Sequence, residues 1–288
     1  MKSHRLFSAL GSAIIAGLAL LPATAAAWGP LGHRVTADIA ERNVSGDTRA
    51  KIRLILGDEL LEEASTWPDE ERSNPDPFFG TTAAPWHYVT LPDGREVDDL
   101  LHPEEGDAAT ALERFTATLH DPAASREQKA LALRFIVHIV SDLHNPLHVG
   151  DGTDRGGNDV VVAWFDDPAP KNLHWVWDEG MLLRQQLSWT EYTARLERRL
   201  SPEEIIAWWD ADPDTWIAES AALRTRIYPD RSAERGMGTQ ESPVRLSWQY
   251  LCDWRPTVEQ RLQQGGVRVA AYLDDMFAGI EAETLQAD

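Results

Sequence analysis

Residues 138 to 148 read H-I-V-S-D-L-H-N-P-L-H, and residues 172 to 178 read N-L-H-W-V-W-D. His138 and Asp142 stand four positions apart, and so do His174 and Asp178. On a helix that spacing puts both side chains on one side, one turn above the other. Imidazole nitrogen and carboxylate oxygen are both good zinc donors, and zinc accepts mixtures of them in a tetrahedral site. A single such pair on a surface is ordinarily an ion pair within one helix. The surroundings of His138 argue otherwise: Leu131, Leu133, Phe135, Ile136, Val137, Ile139 and Val140 make the segment apolar nearly all round, which marks a buried central helix. Carboxylates are rarely buried without a partner. Burying Asp142 beside His138, in a chain that repeats the pair and sets His148 between the two, calls for more than one cation.

Other histidines sort by position. His4 falls in the N-terminal segment, His102 and His120 in polar turns, and His144 turns away from the His138/Asp142 side. His33 and His87 remain as candidates, with Asp69 in T-W-P-D just before the proline-rich loop 74–85.

The elements that must carry these groups are mainly helical. Residues 31–42 place Val35, Ile39 and Ala40 on one face. Asp47 is expected to cap a helix that stops at Gly57, and residues 106–120 read as another. Ser125 with Gln128 makes a capping box for the central helix, which Pro146 ends. Asn172 opens a helix expected to reach Leu187, Ser201-Pro202-Glu203-Glu204 opens the next, Asp212-Pro213 another, and residues 243–282 hold the last one or two. The Val-rich run 159–165 behind Gly156-Gly157-Asn158 reads as a short strand or half a hairpin. The expected architecture is a mainly α, single-domain multi-helix bundle with a small β-hairpin. Trp208, Trp209, Trp216, Trp248 and Trp254 fall on helical stripes, which predicts core packing for them.

At the N-terminus, Lys2 and Arg5 precede an apolar run and Ala25-Ala26-Ala27. That is a signal peptide over 1–27, cleaved after Ala27, and it predicts an exported domain over 28–288 beginning at Trp28. The formal charge is −20, and losing the two basic residues makes it −22. That balance argues against an extended basic cleft for duplex nucleic acid, although bound metal can supply positive charge locally. The single cysteine, Cys252, rules out an internal disulfide and is expected as a small buried apolar residue.

Taken in chain order, W-G-P-L-G-H, W-P-D, H-Y, H-x-x-x-D-x-x-x-x-x-H, G-G-N-D and N-L-H-x-x-W-D resemble the zinc-dependent single-strand-specific nucleases (the S-one/P-one nuclease family), in a bacterial-type form. The resemblance spans essentially all of the chain from Trp28 onward and implies the phospholipase C/single-strand nuclease fold with three Zn2+. It implies that Asp69, His87 and His138 hold one zinc, that His33 and the free amine and carbonyl of Trp28 hold a second, and that Asp142 bridges the two. His148, His174 and Asp178 would hold the third. Water between the paired ions would ionise near neutral pH, with Asp69 orienting it, Arg72 stabilising phosphate charge and the third zinc steadying the leaving 3′-oxygen. Tyr88 would stack on the base and Asn158 would bond its edge. Thr90 stands where the fungal enzymes have Asp, so base preference does not carry over. The implied activity is hydrolysis of single-stranded DNA and RNA to 5′-phosphates, with 3′-nucleotides as further substrates, by a monomer with no membrane partner. The alternative is a phospholipase C acting on phospholipid headgroups.

Overall fold

Helix α5 (Arg126–Asp142) runs through the core, and from Ala132 to Asp142 every residue but Arg134 is buried. Its start is the reciprocal cap read from the sequence: Gln128 N donates to Ser125 Oγ at 3.3 Å, and Ser125 N donates to Gln128 Oε1 at 2.8 Å. The computed structural model describes residues 28–229 and 238–285. The predicted signal peptide and its cleavage point lie outside the described residues. Around α5 pack α1 (Pro30–Asn43), α2 (Gly46–Leu56), α3 (Leu61–Glu70), α4 (Ala108–His120) and the 30-residue α11 (Trp248–Phe277). The architecture is mainly α, as expected.

Helices α1 and α11 meet through Gly265 and Gly266. A Cβ at Gly266 would lie 2.4 Å from Ile39 Cβ. Each glycine costs a helix interior about 1 kcal/mol relative to alanine, and here it allows α1 to lie directly against α11. That contact buries the α1 face that carries His33.

A second apolar cluster, including Trp28, Leu147, Trp164, Trp177 and Leu262, draws on α6 (Leu173–Trp175), α7 (Met181–Leu183), α8 (Trp189–Glu197) and the end of α10 (Pro213–Ile227), whereas α9 (Pro202–Trp208) buries no residue. Strands β1 (Val89–Thr90) and β2 (Val149–Gly150) pair in parallel, with Val89 opposite Val149. Strand β3 (Val161–Trp164) pairs antiparallel with β4 (Lys171–Asn172) and parallel with β5 (Val244–Leu246). The expected half-hairpin is thus the middle of a three-stranded sheet.

Several local expectations are corrected. Ser45, not Asp47, caps α2, accepting from Thr48 N at 3.1 Å. Helix α5 ends at Asp142, four residues ahead of Pro146, and Pro146 opens a 3-10 turn over Pro146–His148. The helix from Asn172 is not regular to Leu187: a π turn over Val176–Gly180 separates α6 from α7. Trp216 is fully buried, but Trp209 and Trp248 are 42% and 65% exposed, because the faces they occupy look outward. Cys252 is exposed rather than buried, on a solvent-facing turn of α11.

Candidate metal centre and substrate cavity

Five segments converge on one buried pocket. Helix α5 brings His138 and Asp142, α1 brings His33, and the last turn of α3 brings Asp69. The 3-10 turn Ala84–His87 brings His87. The β1–β2 pairing then sets His87 and Tyr88 beside Leu147 and His148. The carboxylate of Asp142 lies between two sets of donors. Its Oδ1 is 3.3 Å from Trp28 N and 3.4 Å from His33 Nε2. Its Oδ2 is 3.1 Å from His138 Nε2 and 3.5 Å from His87 Nδ1. Asp69 spans the same gap, with Oδ1 3.8 Å from His87 and 3.9 Å from His138, and Oδ2 4.0 Å from His33. A further group forms where His148 Nε2 and His174 Nε2 approach Asp178 at 3.5 and 3.1 Å.

Backbone carbonyls set how these imidazoles face. His138 Nδ1 pairs with Ser65 O at 2.8 Å, His148 Nδ1 with His87 O at 2.6 Å, and His174 Nδ1 with Gly156 O at 2.7 Å. Each pairing places the Nδ1 proton on the carbonyl and turns the Nε2 lone pair inward. Gly156 holds its carbonyl there only because it has no side chain: φ is +61°, and a Cβ would lie 2.2 Å from Leu147 O.

The electrostatics suit a cation. Burial, with His138 beside it, holds His33 down to about 3. Burial and then the Arg72 charge hold His87 down to about 4. Both rings are therefore neutral, as metal ligation requires. Burial pulls the Asp142 carboxyl upward, but His138, His148 and His33 outweigh it and carry the group well below the ordinary carboxylate range. Burial pushes Asp178 well above that range, with His174 opposing only in part. Among the described residues, both His33 nitrogens, Asp142 Oδ2, His148 Nε2 and Asp178 Oδ2 are buried without a hydrogen-bond partner. Each such atom costs about 1–3 kcal/mol when left so. Donor groups able to hold metal ions form at Asp69/His87/His138, at His33/His138/Asp142 and at His148/His174/Asp178. Mixed imidazole and carboxylate donors of this kind fit zinc.

Next to His148 and His174 opens a cavity of about 500 Å3. Arg72, Tyr88, Thr90 and Asn158 line it, so the residues to which the resemblance gives phosphate and base roles share one space with the third donor group. Arg72 Nε is 3.0 Å from Asp69 Oδ1. Tyr88 is 40% exposed at the cavity wall. Asn158 is oriented by Asn172 Nδ2, which donates to Asn158 Oδ1 at 3.1 Å, and by its own Nδ2, which donates to Arg155 O at 2.8 Å. His144 stays outside, as expected: it is buried, with Nδ1 against Val140 O at 2.7 Å.

Three residues of this region escape a reading of side-chain spacing. Asn145 is buried and donates from Nδ2 to Asp178 Oδ1 at 2.6 Å, while its Oδ1 accepts from Leu147 N at 3.0 Å. Its signal was its place in H-N-P-L-H, between a metal-type helix and His148. Arg155 and Phe79 also line the cavity. Arg155 precedes the Gly-Gly-Asn run at φ +54°, paired with Asp159, and Phe79 lies in the loop read only as proline-rich.

The S1/P1 Nuclease family matches the chain over residues 28–278. Endonuclease 4 of Arabidopsis thaliana is 29% identical over 276 residues, covering 87% of this chain and 89% of that protein. Nuclease S1 of Aspergillus oryzae is 26% identical over 279 residues, covering 86% and 91%. Nuclease P1 of Penicillium citrinum is 27% identical over 275 residues, covering 86% and 97%. The matched span takes in Trp28 and every donor group of the pocket, and the chain belongs to the S1/P1 nuclease family, a family of phosphodiester hydrolases.

Proposed function

We propose that the chain is an exported, monomeric, zinc-dependent endonuclease. It cuts single-stranded DNA and RNA to 5′-phosphate products and removes the phosphate of 3′-nucleotides. The observation that carries this reading is the split Asp142 carboxylate, one oxygen toward Trp28 N and His33, the other toward His87 and His138. Asp69, His87 and His138 would hold one zinc, His33 and the Trp28 amine and carbonyl a second, and His148, His174 and Asp178 a third. Bound zinc supplies Lewis acidity and brings the pKa of water toward neutrality.

The side chains do the rest. Asp69, facing both His33 and His138, accepts a hydrogen bond from the attacking water and fixes its direction. Arg72, seated against Asp69 and lining the cavity, meets negative charge as it builds on the phosphate. His148, His174 and Asp178 lie on the side where the 3′-oxygen leaves. Tyr88 offers a face to an unpaired base. Asn158 keeps one donor and one acceptor position for the base edge beyond its contacts with Asn172 and Arg155.

A base in this cavity must be out of its stack. Extracting it from a duplex costs a few kcal/mol, and the acidic chain adds repulsion toward dense duplex charge. The test compares one DNA sequence as single strand and as duplex, with zinc and after chelation, beside phosphatidylcholine vesicles. The single strand is expected to be cut roughly 10²-fold faster, the factor that a few kcal/mol represents, and chelation to abolish cutting. Equal rates would refute single-strand selectivity. Lipid hydrolysis without nucleic-acid cleavage would support the phospholipase alternative.

A further inference from the structure

The cavity does not stop at the base site. Its wall continues past Tyr88 and Arg72 to Phe79, Gly80 and Ala84. The turn that holds Phe79 folds onto the arginine's backbone: a Cβ on Gly80 would lie 3.8 Å from Arg72 O. Gly80 and Ala84, which line the cavity with Phe79, carry no more than a methyl between them. The ring itself is fixed from behind. It meets Trp67 edge-on at 5.3 Å (81° between planes) and Phe78 edge-on at 5.0 Å (88°), with no parallel ring on its face among the described residues. An aromatic held from behind, half-buried and lining one cavity with an arginine is the form that single-strand binding sites use to stack a base.

We propose that Phe79 is the stacking platform for a second nucleobase, that of the nucleotide joined through its 5′-oxygen to the scissile phosphate. The inference rests on the nuclease reading of the same site. If the base on Tyr88 belongs to the nucleotide whose 3′-oxygen leaves near His148 and His174, the phosphate passes Arg72. The next base downstream then reaches Phe79. The cavity thus takes a dinucleotide unit, and the enzyme discriminates by the base downstream of the cut as well as by the base upstream of it. The volume of about 500 Å3 is within the range that holds a whole ligand of drug size.

The test is a dinucleotide with a normal downstream base against the same molecule with an abasic downstream sugar. The zinc-loaded wild type is expected to favour the normal base by about tenfold in kcat/KM, the worth of one base–aromatic stack. Phe79→Leu, which keeps an apolar side chain against Trp67 and Phe78, should bring that preference close to one. Phe79→Tyr should retain it. A wild type indifferent to the downstream base would overturn the proposal, and so would a preference that survives in Phe79→Leu. With a third dinucleotide that lacks the upstream base instead, a preference for the upstream base that Phe79→Leu abolishes would show that Phe79 walls the Tyr88 site and would refute the second platform. A wild type that cuts neither dinucleotide would instead strike down the nuclease reading on which the proposal depends.

Discussion

The two sides of the centre are built differently. Trp28 N, His33, Asp69, His138 and Asp142 sit on or against α1, α3 and α5, with α1 held to α11 at Gly265–Gly266 and α5 buried along one face. Only His87 joins them from a 3-10 turn. His148, His174 and Asp178 hang instead from a 3-10 turn, a three-residue helix and a π turn, held together by β1–β2 and the glycine-rich loop. The charges differ in the same sense. Asp142 is kept ionised by the histidines around it, whereas burial drives Asp178 toward its neutral form. Among the described residues both sides leave buried donor atoms without partners, but the helical side is positioned by helix packing and the other by side-chain and backbone hydrogen bonds in irregular turns. Irregular backbone on the side facing the cavity fits its work, since π turns and loops re-aim side chains where substrate must approach.

If the helical side carries the chemical step, the largest loss should come from Arg72, which is anchored to Asp69 there. Arg72→Ala is expected to lower kcat on single-stranded DNA by about 10²–10³, with zinc content unchanged. A variant with normal turnover would remove Arg72 from the mechanism.

If the other side depends on the bonds that orient its ligands, Asn145 is its weak point, because one side chain holds both Asp178 and the turn ahead of His148. Asn145→Ala should weaken binding of one zinc about 10- to 100-fold, the usual effect of losing such a partner. A chelator titration should then show one ion leaving early and the rest leaving as in wild type. Loss of all zinc together would contradict the division into two sides.

The smallest effect concerns the joint between them. Glu219 on α10 binds Arg268 at 2.6 and 2.8 Å and Arg261 at 2.6 Å, and Arg261 Nε donates to His144 O at 3.0 Å just past the end of α5. Burial alone would raise the Glu219 carboxyl, but the two arginines hold it below its ordinary 4.5. A depressed carboxylate stabilises the fold above the unfolded value of 4.5, and that contribution is lost as pH falls through the lower folded value. Melting of the chelated protein should therefore shift downward below pH 4.5, and less so in Glu219→Gln. Identical acid profiles would show that the joint is not held by this charge.

The same division governs what the sequence made legible. His138 and Asp142 could be read because a regular, apolar helix turns spacing into direction. His174 and Asp178 kept their i,i+4 relation although the helix there widens into a π turn. Helix α3, which presents Asp69, was silent because Leu60 is a poor cap and Pro68 lies inside it. Strand β5 was silent because its partner, β3, lies some eighty residues earlier and pairs in parallel. Asn145 and Phe79 act through contacts with residues distant in the chain, which no local pattern contains. Trp28 contributes a backbone nitrogen, invisible to any side-chain pattern and reached only through the family resemblance.

That nitrogen gives the most direct test of a centre organised around Asp142. A free α-amine has a pKa of about 7.7–8.0, and metal binding can draw off its proton, whereas a peptide nitrogen has no lone pair to give. Zinc per chain should be measured, beside single-stranded DNA cleavage, for a protein beginning at Trp28 and for one carrying a single extra Met before it. Three zinc ions and full activity are expected in the first form, and one zinc fewer, little activity and an unchanged helical spectrum in the second. Equal zinc content and equal activity in both forms would contradict a centre that takes the Trp28 amine as a ligand.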